Sequence, residues 1–225
     1  MNNININKNS TQSGRSMIEM LGVLAIVGVL SVGGIAGYSK AMEKFKINKT
    51  IDQISQIATN IRTLYAQQTT YAGLNGQTAY DMGVIPDELG SYDRYGEFTN
   101  AFNGIINIAS LWELNNKAFQ ITYAGLQENA CIALATQDWG SGHSSGLISI
   151  VVNGGDVSPA WNGSLYDDTG QKTGFNCKGG QHYSWMVACP NGSAVSIPMP
   201  PTIATQVCKN CSESQYGCGI ALNFY

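Results

Sequence analysis

The sequence predicts an α+β protein in which a long N-terminal α-helix packs on an antiparallel β-sheet head that carries disulfides. An uncharged stretch from Met20 to Ser39 has 20 residues, enough for a helix to cross a membrane core. An amphipathic stripe follows it, and the remainder alternates short β-like runs with glycine-rich turns. All six cysteines lie in that remainder, beginning at Cys131.

Composition narrows the classes of function. A net charge of −3 with 12% charged residues gives no electrostatic reason to expect nucleic acid as a main partner. Cysteines placed only downstream of the apolar segment are typical of export into an oxidising compartment. The alternative is a cytosolic domain with reduced thiols or a metal site.

The N-terminal helix is predicted from Ser16 to Gln68, because no proline occurs before Pro86. Residues 1–14 are polar and form neither a membrane span nor a secretory h-region. The half from 15 to 39 is expected to span a membrane, and the alternative is a buried core helix. The half from 40 to 68 is amphipathic, and we expect its apolar stripe in the core: Ile47, Ile51, Ile54, Ala58, Ile61 and Tyr65, widened by Ile57 and Leu64.

Four glycines in the apolar half lower its helix propensity by roughly 1 kcal/mol each: Gly28, Gly33, Gly34 and Gly37. One hypothesis is that this stretch melts locally when subunits pack together. Close helix–helix packing at small residues is the alternative.

Residues 69–225 are predicted to form the head. The stretch from Tyr71 to Gly90 is dense in glycine and indicates a loop with one short helix. Predicted strands are 104–109, 118–123, 147–152 and 219–225, and a helix is predicted at 127–136.

The most informative motif is Gly14-Arg15-Ser16-Met17-Ile18-Glu19, in which a carboxylate stands at the edge of an uncharged apolar run. An ionised carboxylate there costs several kcal/mol unless it finds a partner, so Glu19 is a functional hypothesis that requires a cation. Arg15 is one candidate, because residues four apart are neighbours on a helix.

The motif resembles the class III leader of type IV prepilins. The resemblance implies that a prepilin peptidase cleaves between Gly14 and Arg15 and methylates the new N-terminus. It also implies that Glu19, then the fifth mature residue, pairs with the terminal amine of a neighbouring subunit during assembly. The leader would be 1–14, and an apolar residue usually stands in the family where this chain has Arg15.

The head adds to this likeness. Four segments are similar, in order, to the type IVb pilins of toxin-coregulated and conjugative thin pili: 71–75 (YAGLN), 83–86 (GVIP), 100–104 (NAFNG) and 131–134 (CIAL). The resemblance implies a type IV pilin fold and a structural subunit of a type IV pilus. Such a subunit would lie in the inner membrane with its head in the periplasm, and then join an extracellular homo-oligomeric filament. Its partners would be the prepilin peptidase, an inner-membrane assembly platform and, before assembly, membrane lipid.

Other functions stay open on the sequence alone. The rivals are a minor pilin or type II secretion pseudopilin, and an anchored, exported binding module that does not polymerise. The positive-inside rule favours the opposite orientation, because the lysines that follow the span outnumber Lys8 and Arg15 before it: Lys40, Lys44, Lys46 and Lys49. The placement of the cysteines and the leader decides for an exported head.

Six cysteines allow many pairings, and the residues themselves do not choose among them. The family resemblance implies that Cys131 pairs with a late cysteine. The pairing we expect is Cys131–Cys208, Cys177–Cys189 and Cys211–Cys218. Cys208-x-x-Cys211 is also compatible with half of a zinc or redox site, but a second CxxC is absent, so no metal is expected.

No convergent acid, base and nucleophile indicates an enzyme, and no cofactor is expected. His143 and His182 are expected on loops or the surface, and Ser141 and Ser144 near His143 lack a GxSxG motif. Four acids are predicted to be solvated loop charges, with weak calcium binding as the alternative: Asp87, Glu88, Asp167 and Asp168. The tryptophans are expected in the core or at subunit contacts, where an exposed one could bind a receptor or glycan: Trp112, Trp139, Trp161 and Trp185.

Overall fold

The computed structural model describes residues 17–140, 146–153, 181–182, 185–188, 195–212 and 217–225. The chain divides into two compact units, Met1–Glu43 and Lys44–Tyr225.

Helix α1 runs over Met17–Leu64. Glu19 in its first turn and Arg62 in its last turn complement the helix dipole at both ends. The predicted helix reached Gln68, but the structure forms a turn after Leu64, in which the Gln68 N–H donates to the Tyr65 carbonyl at 2.8 Å. Within the first unit the helix is continuous through Gly33 and Gly34.

The apolar stripe predicted for the second half of α1 is largely confirmed. Ile54, Ile57, Ala58 and Ile61 are buried, and Ile47, Ile51 and Tyr65 are partly buried against the same core. The prediction for Leu64 was wrong, since its side chain is 50% exposed. Leu64 is the last helical residue, and the next residue, Tyr65, makes the packing contact instead, with its ring centroid 5.1 Å from that of Tyr71.

In the part of the chain that the structure describes, seven antiparallel strands form one sheet in the order β1-β2-β3-β7-β4-β6-β5. Their bounds are β1 Phe98–Thr99, β2 Ile105–Ser110, β3 Phe119–Leu126, β4 Leu147–Asn153, β5 Gln181–His182, β6 Trp185–Ala188 and β7 Cys218–Phe224. The four longest strands confirm those predicted, whereas β1, β5 and β6 were not predicted. Strand β7 lies between β3 and β4 and is buried along its whole length, which explains its apolar sequence.

Three further helices belong to the head: α2 Gly76–Asp81, α3 Glu128–Thr136 and α4 Pro201–Cys208. Helix α3 confirms the prediction for 127–136, and α2 is the short helix expected between Tyr71 and Gly90. Helix α4 was not predicted. It begins with proline at its first helical position, where the fixed φ angle suits a helix and the missing N–H has no partner to lose. Short 3₁₀ turns occur at Asp87–Leu89, Trp112–Leu114 and Lys209–Ser212.

A single apolar core joins the second half of α1 to the sheet and to α3 and α4. Its largest fully buried side chains include Tyr123, Phe98 and Phe119, and the Phe119 ring stacks on Phe224 with centroids 5.4 Å apart. Alternate residues of the same strands carry a buried polar ladder. In it Gln120 donates to Asn223 at 2.8 Å and Asn223 donates to Ser149 at 2.8 Å, which ties β3, β7 and β4 together.

Asn100 organises the turn between β1 and β2. Its Oδ1 accepts the N–H groups of Phe102 and Gly104 at 2.9 and 3.0 Å, and its Nδ2 donates to the Ala124 carbonyl at 2.7 Å. Gly104 lies so close to Ala124 that an added Cβ would overlap the carbonyl oxygen. The segment 100–104 therefore has a structural reason for its composition, since it holds the turn against β3.

Candidate functional site

The first unit presents an apolar helical surface that is exposed among the residues the structure describes. The most apolar 18-residue window of α1 has a mean hydropathy of 2.2, and none of that window is buried within the protein. Thirteen large apolar side chains between Met17 and Tyr38 are at least half exposed. A core helix of a soluble protein would be mostly buried, so this exposure separates the segment from the core-helix alternative.

The length of this surface fits a lipid bilayer. From Met17 to Tyr38 the helix rises about 33 Å at 1.5 Å per residue, and the hydrocarbon core of a bilayer is about 30 Å thick. Ser31 and Ser39 are compatible with an apolar environment, because their hydroxyl groups are hydrogen-bonded within the helix. They donate to the carbonyls of Val27 and Ile35 at 2.7 and 3.0 Å, respectively. The segment can therefore span a membrane by length and composition.

Glu19 lies in the first turn of this helix and is exposed. The partial positive charge of the helix N-terminus favours a carboxylate there, but supplies much less than a full cation. Among residues 17–140 and the other described segments, no basic side chain lies within ion-pair distance of Glu19. Gly14 and Arg15 lie outside the described residues, so both the cleavage site and the Arg15–Glu19 pair stay predictions.

The glycines of the apolar helix have no internal packing role. A Cβ added at Gly22, Gly28, Gly33, Gly34 or Gly37 would meet no atom within 4 Å. Each glycine costs the helix roughly 1 kcal/mol relative to alanine, and within the described part of the chain no side-chain contact at these positions offsets that cost. The open space around these glycines would allow another helix to approach the backbone closely.

In the second unit, α1 carries a polar cluster opposite the turn at Asp87–Leu89. Lys49 pairs with Glu88 at 3.2 Å, and the Gln53 amide donates to the other Glu88 oxygen at 2.6 Å. The hydrogen bond from Gln53 and the charge of Lys49 lower the pKa of Glu88, against a smaller opposing effect of desolvation. Asp87 and Glu88 are both exposed, as predicted, and α1 supplies two partners to Glu88.

A cleft of about 540 Å³ opens beside this cluster. Its walls combine the exposed Phe45 ring with polar side chains, including Asn48, Asp52 and Gln56. The Gln53 Oε1 atom is buried without a hydrogen-bond partner among the described residues. These groups fix the position of the 84–88 segment on α1, to which Asn60 adds a hydrogen bond with the Val84 carbonyl at 3.0 Å.

Two disulfides meet in the core of the head. Cys131 of α3 is bonded to Cys208 of α4, with Cα atoms 5.8 Å apart, and Cys211 is bonded to Cys218 of β7, with Cα atoms 4.7 Å apart. These are two of the three pairs that we expected, and the first is the bond to a late cysteine that the family resemblance implied for Cys131. Cys177 and Cys189 lie outside the described residues.

The same sulfurs leave no zinc site in their bonded state. The Sγ atoms of Cys131, Cys211 and Cys218 lie within 4.8 Å of one another, a spacing compatible with a shared metal ion. Zinc binds thiolates, however, and a disulfide sulfur is not a thiolate. The Cys208-x-x-Cys211 segment instead joins two different cross-links.

The structure places the remaining candidate residues apart from one another. Trp139 packs on the core and donates its indole N–H to the Leu134 carbonyl at 3.0 Å, whereas Trp112 is 59% exposed. His182 and Trp185 lie in β5 and β6, without described side chains. Five other candidates lie outside the described residues: Ser141, His143, Ser144, Trp161 and the pair Asp167-Asp168.

Sequence reasoning missed an aromatic cluster on the head. The Tyr80 ring meets Tyr92 edge to face with centroids 5.4 Å apart, and both rings approach Phe98 at 6.3 Å. Tyr80 is 43% exposed, so one side of the cluster faces solvent. No local sequence signal indicates it, because β1, which supplies Phe98, has only two residues.

Comparisons with known proteins agree on one family. The bundlin family model matches residues 39–187. The major structural subunit of the bundle-forming pilus of Escherichia coli O127:H6 is 30% identical over 132 residues, which cover 58% of this chain and 67% of that protein. The toxin coregulated pilin of Vibrio cholerae serotype O1 is 26% identical over 133 residues, which cover 57% of this chain and 59% of that pilin.

A crystal structure of a type IV pilin from the El Tor biotype of Vibrio cholerae is a more distant neighbour. Its TM-score is 0.45 at 18% identity, over 80% of this chain and 99% of that one. The assignment rests on the family model and the pilin sequences. They show that this chain belongs to the bundlin family and is a type IVb pilin.

Proposed function

We propose that this pilin is inserted in the bacterial inner membrane through residues 15–39, cleaved by a prepilin peptidase after Gly14, and assembled by helix packing into an extracellular type IV pilus. The observation that carries the proposal is the apolar half of α1, which none of the described residues covers. The proposed organisation is a leader at 1–14, a membrane and polymerisation helix at 15–39, an amphipathic helix at 40–68, and a head at 69–225.

The apolar helix needs two successive environments in this scheme. Burying a large aliphatic side chain is worth roughly 1.5–3 kcal/mol, so thirteen exposed ones make the free segment strongly unfavourable in water. Lipid provides the first environment, and the helices of neighbouring subunits provide the second. Because lipid tails are as apolar as leucine, packing at the open glycines supports the step from lipid to filament.

Glu19 is proposed to set the axial register of that packing. A carboxylate transferred between apolar helices without a partner costs several kcal/mol, and removal of one partner from a buried ion pair costs a similar amount. Cleavage after Gly14 would create a terminal amine, and the amine of a neighbouring subunit is the proposed partner. Electrostatic matching would then fix the axial register between subunits.

The head is proposed to lie in the periplasm before assembly. Its two described disulfides support an oxidising location, since such bonds persist outside the reducing cytosol. An inner-membrane assembly platform would then extract the processed subunit into the filament. The Escherichia coli relative is named as a major subunit, which supports the major-pilin assignment over a minor pilin or pseudopilin.

The test is Glu19→Gln, which removes the charge and keeps the size of the side chain. We expect processing and membrane insertion to persist while the yield of sheared surface filaments falls by tenfold or more, equivalent to about 1.4 kcal/mol per tenfold. Mass spectrometry of the mature protein reports the N-terminus, its methylation and the disulfides. Immunoblots of sheared material report assembly.

Glu128→Gln is the matched control, because Glu128 also lies in the first turn of a helix. It loses the same favourable dipole interaction but stands in the head, so filaments should form at wild-type yield. Normal filament yield from Glu19→Gln would reject the proposed ion pair. An intact Met1 N-terminus in sheared filaments would reject cleavage after Gly14.

A further inference from the structure

Four cysteine sulfurs from four elements converge in the core. Cys131 lies in α3, Cys208 and Cys211 lie at the end of α4 and in the 3₁₀ turn that follows, and Cys218 begins β7. All four residues are at most 3% exposed. The Sγ atoms of Cys131, Cys211 and Cys218 lie within 4.8 Å of one another, and Cys208 is bonded to Cys131.

This spacing has a chemical consequence. Disulfides re-pair when a thiolate attacks a neighbouring disulfide sulfur, and the rate depends on access of the thiolate to that sulfur. Here the Cys131 sulfur lies within 4.8 Å of both sulfurs of the Cys211–Cys218 bond, so no part of the chain has to travel far to bring a thiolate into contact. Two isolated disulfides, each with its own surroundings, would not have this property.

We propose that Cys131, Cys208, Cys211 and Cys218 form one thiol–disulfide exchange unit, in which a thiolate at any one position re-pairs the cross-links inside the head. In one such step the Cys131 thiolate attacks the Sγ of Cys211. The Cys131–Cys211 bond forms as the Cys211–Cys218 bond breaks, and the electron pair leaves on Cys218 as a thiolate. The step conserves the number of disulfides and needs no oxidant.

The exchange unit would act while the head acquires its disulfides. A chain with one bond among the four cysteines still carries two thiols, so a wrong first pairing can move to another pair without full reduction. The last two thiols are then oxidised by a disulfide donor of the oxidising compartment. This role during disulfide formation depends on the proposed export of the head to an oxidising compartment. The exchange itself does not, since it is a property of the folded chain.

The experiment uses full-length Cys208→Ser, purified in detergent micelles and held at mildly alkaline pH. Cys131 then starts without its native partner beside the Cys211–Cys218 bond. After acid quenching and denaturation, thiols are alkylated and located by peptide mass spectrometry. If the alternative pairings are similar in free energy, label on Cys211 and Cys218 together should exceed label on Cys131 by about two to one.

Label confined to Cys131, with the Cys211–Cys218 bond intact, would overturn the proposal. The matched variant is Cys211→Ser, which leaves Cys218 as the starting thiol beside the Cys131–Cys208 bond. Its label should spread to Cys131 and Cys208, and label confined to Cys218 would also reject exchange.

If the cysteine variants fail to fold, exchange can be tested on the wild-type chain instead. With a limiting amount of a small dithiol reductant, exchange predicts label distributed over all four cysteines. Label confined to one bonded pair, or found at Cys177 or Cys189 without reaching the four, rejects it. Because the assay uses purified subunits, a negative result would not contradict the proposed filament assembly. Normal filament yield from Glu19→Gln would likewise not contradict thiol–disulfide exchange.

Discussion

The two units of this pilin use the same aliphatic residues in opposite ways. In the first unit Ile26 is 63% exposed, whereas in the second unit Ile57 is fully buried, although both belong to α1. The difference lies in the pattern around them, since the first half of the helix is apolar on every side and the second carries one stripe. An apolar stripe can be buried against the head, but a helix that is apolar on every side requires an apolar environment around its whole circumference. In the proposed function, lipid and then other subunits provide that environment.

The strongest test of this contrast is a pair of isoleucine truncations. Ile57→Ala should lower the free energy of unfolding of the head by about 2–5 kcal/mol, because it leaves a cavity in a packed core. Ile26→Ala should change it by less than about 0.5 kcal/mol, because its side chain has no core to leave. Urea titration of the full chain in detergent micelles, followed by tryptophan fluorescence, measures both.

The yield of surface filaments is a second measurement on Ile26→Ala. This variant should reduce the yield without changing the stability of the head, since the proposed contacts of Ile26 form between subunits. Equal losses of head stability from the two truncations would break the contrast between the units.

Glycines provide a second and smaller test. Gly104→Ala should destabilise the head by about 1–3 kcal/mol, because the new Cβ would overlap the Ala124 carbonyl in a turn that cannot shift freely. Gly28→Ala has open space around it and should raise the helical content of α1, with a gain of up to about 1 kcal/mol. Thermal unfolding and far-ultraviolet circular dichroism separate the two effects.

Gly28→Ala also distinguishes the two explanations of the glycine-rich stretch. If small residues permit close approach of helices, the variant should lower filament yield although the monomer is more helical. A filament map with continuous helix through Gly33–Gly34 would reject local melting. Undiminished filament yield would reject close packing at Gly28.

The smallest expected effect concerns Glu88. Glu88→Gln should reduce stability by less than about 1 kcal/mol, because the Lys49–Glu88 pair is partly exposed and screened by solvent. The hydrogen bond from Gln53 and the charge of Lys49 lower the folded-state pKa of Glu88 below its ordinary 4.5. The stabilisation is therefore present above about pH 4.5 and is lost as pH falls through the lowered folded-state pKa.

Urea titrations between about pH 6 and pH 3 measure this dependence. The difference between wild type and Glu88→Gln should shrink as the pH falls. Asp87→Asn is the control, because the neighbouring Asp87 makes no ion pair among the described residues, and it should show no such narrowing. A constant difference across the range would remove the charge of Glu88 from the explanation.

Local patterns were sufficient for much of the fold. The long helix, strands β2, β3, β4 and β7, and helix α3 each have a continuous apolar or periodic signal bounded by turn residues. Strands β1 and β5 have two residues each, too few for any period to show. Helix α4 was missed because Pro200 and Pro201 resemble a turn, although proline also begins helices.

In the candidate site, too, some features could be predicted from local sequence and others could not. The apolar span is a property of consecutive residues, so its exposed surface could be anticipated from sequence. The partners of Glu88 could not, because Gln53 lies 35 residues away and meets it only through the fold. The role of Glu19 stays a prediction, since its proposed partner belongs to another molecule.

The position of β7 has a consequence for the order in which the sheet can close. Because β7 lies between β3 and β4, under the proposed export the sheet would consist of two unjoined halves, each with an open edge, until residues 218–224 had crossed the membrane. Open edges invite pairing with other chains, so a nascent head is most vulnerable to aggregation just before translocation of this last strand.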